Sequence, residues 1–498
     1  MKLNILNNSL KNSQFYKTAS NVFDNDLSNI FKHAKNYFLA TLALKIASLF
    51  AIPLFTRYLT TEEYGMVALF NSYLSIVIIT FPLYLYAAIG RYYFESTSDF
   101  DEFVGTSLLL SVGTYVVSFI SLLFLPFNIF SFGTSTNILF YLLFLAGGMK
   151  IISGIYYLIL IPKRDSSQLA KMQISEGYLN IMISVVLVIF LPQKKYYGPI
   201  IGIFFSSFTI FVYSLLNFSK FIKVNIKWAH VKYILLYSLP QLPYALSGVL
   251  NEQLGRILIG KTKNFSDLGI YSLGFQISAL YIIITSALRT ALLPDFYKFM
   301  NSKEYSKITI LRQKIIMLSM LPASFIMTFS KELIRLLAPE NYYDSYLIVP
   351  FIIIGYVFFD LFYVYSPYLE YKKHTGVLSF IIVIGAVLNV IIGYYFVSKI
   401  GYIGAAYAFT LVYFTIFILT WVILKLFYKI QIVNLFIIIK PIIAIIFFAA
   451  TIYFVDSKLT NIFVWFFLRL ITLIIFIFFY VLKPLLLIPN QSNVQAKH

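Results

Sequence analysis

Cysteine is absent from the 498 residues. That excludes disulfides, thiolate catalysis and thiolate-ligated metals. Histidine is nearly absent: His33, His230, His374 and His498 are four in all, far apart in the chain. They lack the spacing of a metal site, so neither a metal nor a cofactor is expected. Charge is scarce, at 12% of residues, where a soluble domain carries about 25%. Acids are the scarcer sign, 20 against 39 lysines and arginines, for a net charge of +19. No basic face or aromatic-basic module lies outside the apolar runs, so nucleic acid is not an expected partner. No phosphate-cradling Gly-x-x-x-x-Gly-Lys loop is expected, and hence no ATP-driven pump. Paired external carboxylates of the kind that cleave or transfer sugars are missing too. The chain reads as a non-enzyme, with no catalytic residues.

Apolar residues are what the chain has, 60% of the total, where a soluble domain has roughly 45–50%. They recur in runs of spanning length near 37–56, 66–89, 104–126, 137–161, 174–192, 198–219, 233–259, 269–292, 308–330, 345–368, 376–398, 402–424, 434–455 and 460–482. About fourteen helices of about 20 residues match a hydrocarbon layer roughly 30 Å thick. The ten-residue alternation of a membrane β-barrel is missing, so the fold class is an all-α polytopic membrane protein. Phe and Tyr, 51 and 40 residues, suit lipid-facing bulk and interfacial belts.

One stretch recurs. Leu54 to Leu69 reads LFTRYLTTEEYGMVAL, and Leu258 to Leu273 reads LIGKTKNFSDLGIYSL. At a constant offset Leu54 falls on Leu258, Arg57 on Lys261, Glu63 on Asp267, Gly65 on Gly269 and Leu69 on Leu273. Tyr197-Gly198-Pro199 and Gly401-Tyr402-Ile403-Gly404 are a second echo, opening the sixth and twelfth runs. Two pseudo-symmetric six-helix lobes follow, with two extra helices at the C-terminus. The division expected is an arm at 1–36, an N-lobe at 37–219, a linker at 220–232, a C-lobe at 233–425, extra helices at 426–484 and a tail at 485–498. Residues 1–36 are polar and lack the apolar core of a signal peptide, so no cleavage is expected. With the N-terminus inside, roughly 24 loop lysines and arginines lie on the cytoplasmic side and roughly 9 outside. Both termini are therefore expected in the cytoplasm. Arg57 to Gly65 then forms an external turn.

An ionisable group deep in a span costs at least ~2.5–3.5 kcal/mol on insertion scales, so each needs a reason. Glu252 and Arg256, four apart in LNEQLGRILIG, share a helix face and are spaced for an ion pair. They either line a water-filled cavity between the lobes or lock their helix. Lys150 follows Gly147-Gly148 in mid-run, and Lys45 lies in the first run. Each lines a cavity, pairs with an acid or snorkels to the surface. Arg289 and Arg91 are placed near the cytoplasmic ends of the eighth and second runs, within reach of headgroups. Asp360 sits among Phe358, Phe359 and Phe362, as a partner for a lining cation or a proton carrier. Lys440 and Arg469 belong to the extra helices, as anchors. Arg91 aside, these are six basic groups against two acidic ones, a balance that suits an anion such as phosphate or pyrophosphate. No acid is placed deep in the first lobe.

Leu54 to Gly65 resembles the first-loop signature of bacterial Wzx-type polysaccharide flippases, in the multidrug/oligosaccharidyl-lipid/polysaccharide exporter superfamily. Phe265 to Ser272 is similar to that family's start of the second lobe, and Asn389 with Gly401 to Ala406 also fits it. The resemblance spans about residues 30 to 425. It implies a V-shaped pair of six-helix bundles in the bacterial inner membrane, working by alternating access. The implied substrate is an undecaprenyl-pyrophosphate-linked oligosaccharide repeat unit for O-antigen or capsule, received in a cationic lumen. Membrane lipids, a polysaccharide polymerase and other assembly proteins are the implied partners. Three other functions stay open: a cation-coupled multidrug exporter or a lipid-II-type flippase of the same superfamily, and a membrane glycosyltransferase or polymerase. The exporter would want acids deep in the first lobe, and the transferase a large external loop.

Overall fold

The structure, a computed structural model, describes residues 43–96, 98–124, 130, 132, 136–163, 165–218, 225–262, 264–428, 443–450 and 462–483. The arm at 1–36, the tail at 485–498 and Lys440 lie outside the described residues. Helices and their connections make up the described residues, and no strand occurs among them. Ten of the described helices are long and apolar enough to cross a membrane. The other four expected runs also hold helix, at 43–58, 228–262, 443–450 and 462–482, without meeting that measure as described.

The first lobe comprises α1 (43–58), α2 (Thr61–Thr80), α3 (Ala88–Glu95), α4 (Phe100–Leu123), α5 (Thr136–Leu160), α6 (Ser166–Phe190) and α7 (Tyr197–Phe218). The chain continues through α8 (Trp228–Ser238) and α9 (Leu242–Thr262). Then come α10 (Phe265–Asn301), α11 (Tyr305–Leu337), α12 (Val349–Tyr371), α13 (Thr375–Ile400) and α14 (Tyr402–Leu426). Residues 443–450 form α15, and Ile462–Phe476 form α16.

Two expected runs are broken, both at proline. The run at 66–89 stops at Pro82, which has no N–H to give the Ile78 carbonyl. The Tyr86 hydroxyl donates to that carbonyl instead, at 3.1 Å. Leu83 and Tyr84 take φ of 51° and 54° at the break, a conformation costly for bulky side chains. The run at 233–259 is split at Pro240 and Pro243 by a 3₁₀ turn, Leu239–Gln241. Its first half, α8, packs on α3 and α4 of the first lobe, whereas α9 packs on α13 and α14 of the second as well as on α2 of the first. Other runs are longer than expected. The 37-residue α10 measures about 55 Å at 1.5 Å per residue, well over a hydrocarbon layer of about 30 Å. With α11 and the end of α12 it builds a separate small core of Phe296, Phe299, Met300, Ile308 and Leu311.

The two copies of the repeated stretch meet face to face. Each begins with a side-chain cap: Thr60 accepts from the Glu63 amide, and Asn264 accepts from the Asp267 amide. These satisfy orphan N–H groups at the starts of α2 and α10. One turn further, α2 and α10 cross. A Cβ on Gly65 would run into the Phe265 carbonyl, and one on Gly269 into the Thr61 carbonyl. Thr61 and Phe265 are themselves equivalent in the repeat, so the contact is reciprocal, as a two-fold crossing requires. Only glycine lets the backbones come this close. The Thr61 and Ser266 hydroxyls are 2.5 Å apart across it. The expected external turn at Arg57 to Gly65 is therefore much shorter. Only Leu59 and Thr60 are non-helical, and Gly65 works inside a helix.

Candidate functional site

Below the crossing, α2, α9 and α10 enclose a cavity of about 370 Å³ between the lobes. Its polar wall is Asn71 and Ser75 from α2, Gln253 and Arg256 from α9, and Gln276 from α10. The Tyr64 hydroxyl donates to Gln276 Oε1 at 2.6 Å. Ser72 donates to Gln253 Oε1 at 3.0 Å, so that amide ties the lobes together. Arg256 donates to the same oxygen at 2.8 Å and lies 4.2 Å over the Phe275 ring.

The pair expected from the spacing of Glu252 and Arg256 is not made. Arg256 reaches back to the Glu252 main-chain carbonyl at 3.4 Å and spends its other contacts on Gln253 and Phe275. Glu252 instead lines a second cavity of about 260 Å³, with Tyr244, Phe359 and Tyr363. Its carboxylate has no hydrogen-bond or ion-pair partner among the described residues, though the charges of Arg256 and Lys45 both act on it. Lys45 is exposed on α1 and likewise has no carboxylate partner among the described residues.

The remaining candidates are neutralised. Lys150 pairs with Glu176 of α6, whose other oxygen accepts from the Tyr157 hydroxyl at 3.0 Å. Hence the first lobe does hold a deep acid, contrary to expectation. Glu176 stood three residues into the expected run at 174–192, but α6 starts at Ser166 and carries it nearly three turns inward. Arg289 pairs with Asp360, which also accepts from Tyr281 at 2.6 Å and Thr285 at 3.3 Å. Arg289 is not close to a helix end, because α10 runs on to Asn301. Arg91 is exposed, bonded to Glu95 at 2.6 Å, and lines none of these cavities. Arg469 contacts Glu332 at 3.2 Å. Arg312, at the start of the expected run at 308–330, is buried in α11 at 4% exposure. Of the candidates, Lys45, Arg256 and Glu252 have no ion-pair partner among the described residues, and neither has the buried Arg312.

The letters Gly255 to Thr262, GRILIGKT, do spell Gly-x-x-x-x-Gly-Lys-Thr, a match that the sequence reading missed. They lie inside α9, where main-chain N–H groups are spent on helical bonds and cannot cradle phosphate.

At the opposite end from the crossing, α8 is held to the first lobe by polar contacts. His230 Nε2 lies 2.9 Å from Asp99 Oδ2, Lys227 2.6 Å from Glu102, and the Tyr233 hydroxyl donates to Glu95 at 2.7 Å. Ser96 and Tyr92 donate to Asp99 at 2.6 and 2.9 Å. Hydrogen bonds from Ser96 first, then His230, hold the Asp99 carboxyl well below the usual carboxylate range.

Comparison with known proteins places this architecture. Residues 54–347 match the family described as "Polysaccharide biosynthesis protein". "Lsg locus putative protein 1" of Haemophilus influenzae is 25% identical over 287 residues, covering 55% of this chain and 68% of that one. An "Uncharacterized membrane protein" of the same organism is 21% identical over 330 residues, 63% of this chain and 75% of that one. Among solved structures, "Lipid II flippase MurJ, inward closed conformation" superposes with a TM-score of 0.69 at 16% identity, over 89% of this chain and 97% of that one. An inward-facing multidrug resistance MATE family transporter of the MOP superfamily superposes at 0.61 and 15% identity, over 78% and 96%. These likenesses establish a shared fold. The chain is a multi-pass membrane protein with that fold, and it belongs to the polysaccharide biosynthesis protein family.

Proposed function

We propose that this chain is a flippase. It carries undecaprenyl-pyrophosphate-linked oligosaccharide repeat units from the cytoplasmic to the outer leaflet of the bacterial inner membrane, for O-antigen or capsule. The observation that carries the reading is Arg256: a guanidinium with no carboxylate partner among the described residues, facing the cavity between the lobes in a polysaccharide biosynthesis protein. An unneutralised cation at that depth is favoured by an anionic ligand group. Pyrophosphate on a lipid-linked sugar meets that need while its polyprenyl tail stays in the bilayer. Lys45 is the second cation of the lumen. Transport is by rocking of the lobes, with the Gly65–Gly269 crossing as the outer seal and both termini in the cytoplasm. Glu252 is the coupling group, since no partner among the described residues holds its proton state. A polymerase receives the exported unit.

The drug-exporter reading draws on one observation, the deep acid Glu176, but Lys150 and Tyr157 already occupy both its oxygens. The test is to delete the gene and restore it as wild type, Arg256→Gln or Lys45→Gln, scoring surface polysaccharide at matched protein levels. Display should fall about tenfold or more in Arg256→Gln, the loss of one charge-assisted contact. Normal display from both variants would overturn the cationic lumen. Rescue of a strain depleted of its lipid II flippase would move the substrate to lipid II.

A further inference from the structure

A third cavity, of about 320 Å³, lies inside the second lobe, walled by α10, α11 and α12. Arg289, Arg312, Ser366 and Glu370 are among its lining residues. It is separate from the inter-lobe cavity: the two share no lining residue. Arg289 already has its counter-charge in Asp360. Arg312 has none among the described residues. It is 4% exposed, lies 4.8 Å over the Tyr365 ring and 5.6 Å from that of Phe296, and its Nε has no hydrogen-bond partner. The Ser366 hydroxyl, buried in the same wall, is also without a partner, as is the hydroxyl of the neighbouring Tyr365. Ring faces offset part of the cost of burying a guanidinium but accept N–H only weakly. Buried donors left unmade cost about 1–3 kcal/mol each, more when charged. Glu370, the acid of this cavity, is exposed, and it accepts from Tyr297 at 3.3 Å.

We propose that Arg312, with Ser366 and Arg289, forms a binding site for a phosphate group, distinct from the inter-lobe cavity. Phosphate fits the donors: its oxygens accept several N–H and O–H bonds at once, and a guanidinium presents its donors in a matching plane. The cavity has room for substituents on the phosphorus. Arg312 lies seven residues into α11, about 10 Å from that helix end, a depth that a lipid headgroup or a free phosphate both reach. This site does not depend on what the protein transports.

The experiment uses the purified full chain in detergent. Inorganic phosphate is titrated against chloride at matched ionic strength, with the unfolding midpoint as readout. In a second arm, retention of phosphatidylglycerol against diacylglycerol is read by native mass spectrometry. Binding of either phosphate-bearing probe is expected, and the arm that responds names the source. Arg312→Gln should weaken it about tenfold, as for loss of a charged hydrogen bond. Arg312→Lys should fall between. Ser366→Ala should weaken it a few-fold, and it stands in if Arg312→Gln does not fold. Wild-type protein that responds to neither probe would overturn the site, as would Arg312→Gln or Ser366→Ala binding undiminished.

Discussion

The two lobes touch at two ends, and the two junctions are built on opposite principles. At the crossing, Gly65 and Gly269 bring main chain against main chain, and the contact is reciprocal. At the other end, α8 is held to the first lobe by the side chains of Asp99, His230, Glu102, Lys227, Glu95 and Tyr233. A backbone contact between small residues is stiff and tolerates no added atom. Polar contacts with an exposed partner, such as Lys227–Glu102, are individually weak and exchange readily with water. A seal that must be tight in one state and a tether that must yield under small forces would be built this way. The proline break between α8 and α9 sits between the two and lets one run belong to both lobes.

Cross-linking tests the difference most strongly, because the chain has no cysteine of its own. Thr61→Cys with Ser266→Cys should form a disulfide on oxidation, since the two hydroxyls are 2.5 Å apart. Polysaccharide display should stop, and return with reductant. Transport that continues through the closed bond would mean the crossing never opens. Next in size, Gly65→Leu and Gly269→Leu should each cost about 3 kcal/mol, the upper range for overpacking, read as equal drops in the thermal midpoint. Unequal drops would break the two-fold equivalence. At the other junction, Asp99→Asn should cost about 2 kcal/mol, within the range for hydrogen bonds to a charged group, and leave the crossing cross-link intact. Its pH dependence follows from the depressed Asp99 carboxyl. The contribution is fully present above the ordinary aspartate value of about 3.9 and is lost as pH falls below it. The wild-type and Asp99→Asn midpoints should therefore converge in strong acid. Smallest and most alike, Thr60→Ala and Asn264→Ala should each cost about 1 kcal/mol as lost helix caps.

Local pattern made much of the fold legible. Apolar runs mark helices because each span must satisfy its own main chain in lipid, and every expected run with described residues holds helix. Pro82, Pro240 and Pro243 break their helices, whereas Pro53, Pro322 and Pro367 lie inside continuous ones. Helix ends were less legible. Hydropathy records where lipid ends, whereas α6, α10 and α11 continue as helix past it. That one fact hid the depth of Glu176 and Arg289. The candidate site was half legible: single charges stood out in apolar runs, but their partners did not. Lys150 finds Glu176 and Arg289 finds Asp360 across helices, while Glu252 and Arg256, neighbours on one helix, decline each other.

The sequence alone determined the membrane class, the positions of the spans, the repeat and its glycines. Each of these depends on interactions within one segment or between a segment and the bilayer. Only the tertiary structure decided that the repeats cross at those glycines, that α8 serves the first lobe, and which buried charges are left without a counter-ion. Those outcomes depend on distances between segments far apart in the chain. No periodicity within a segment encodes them.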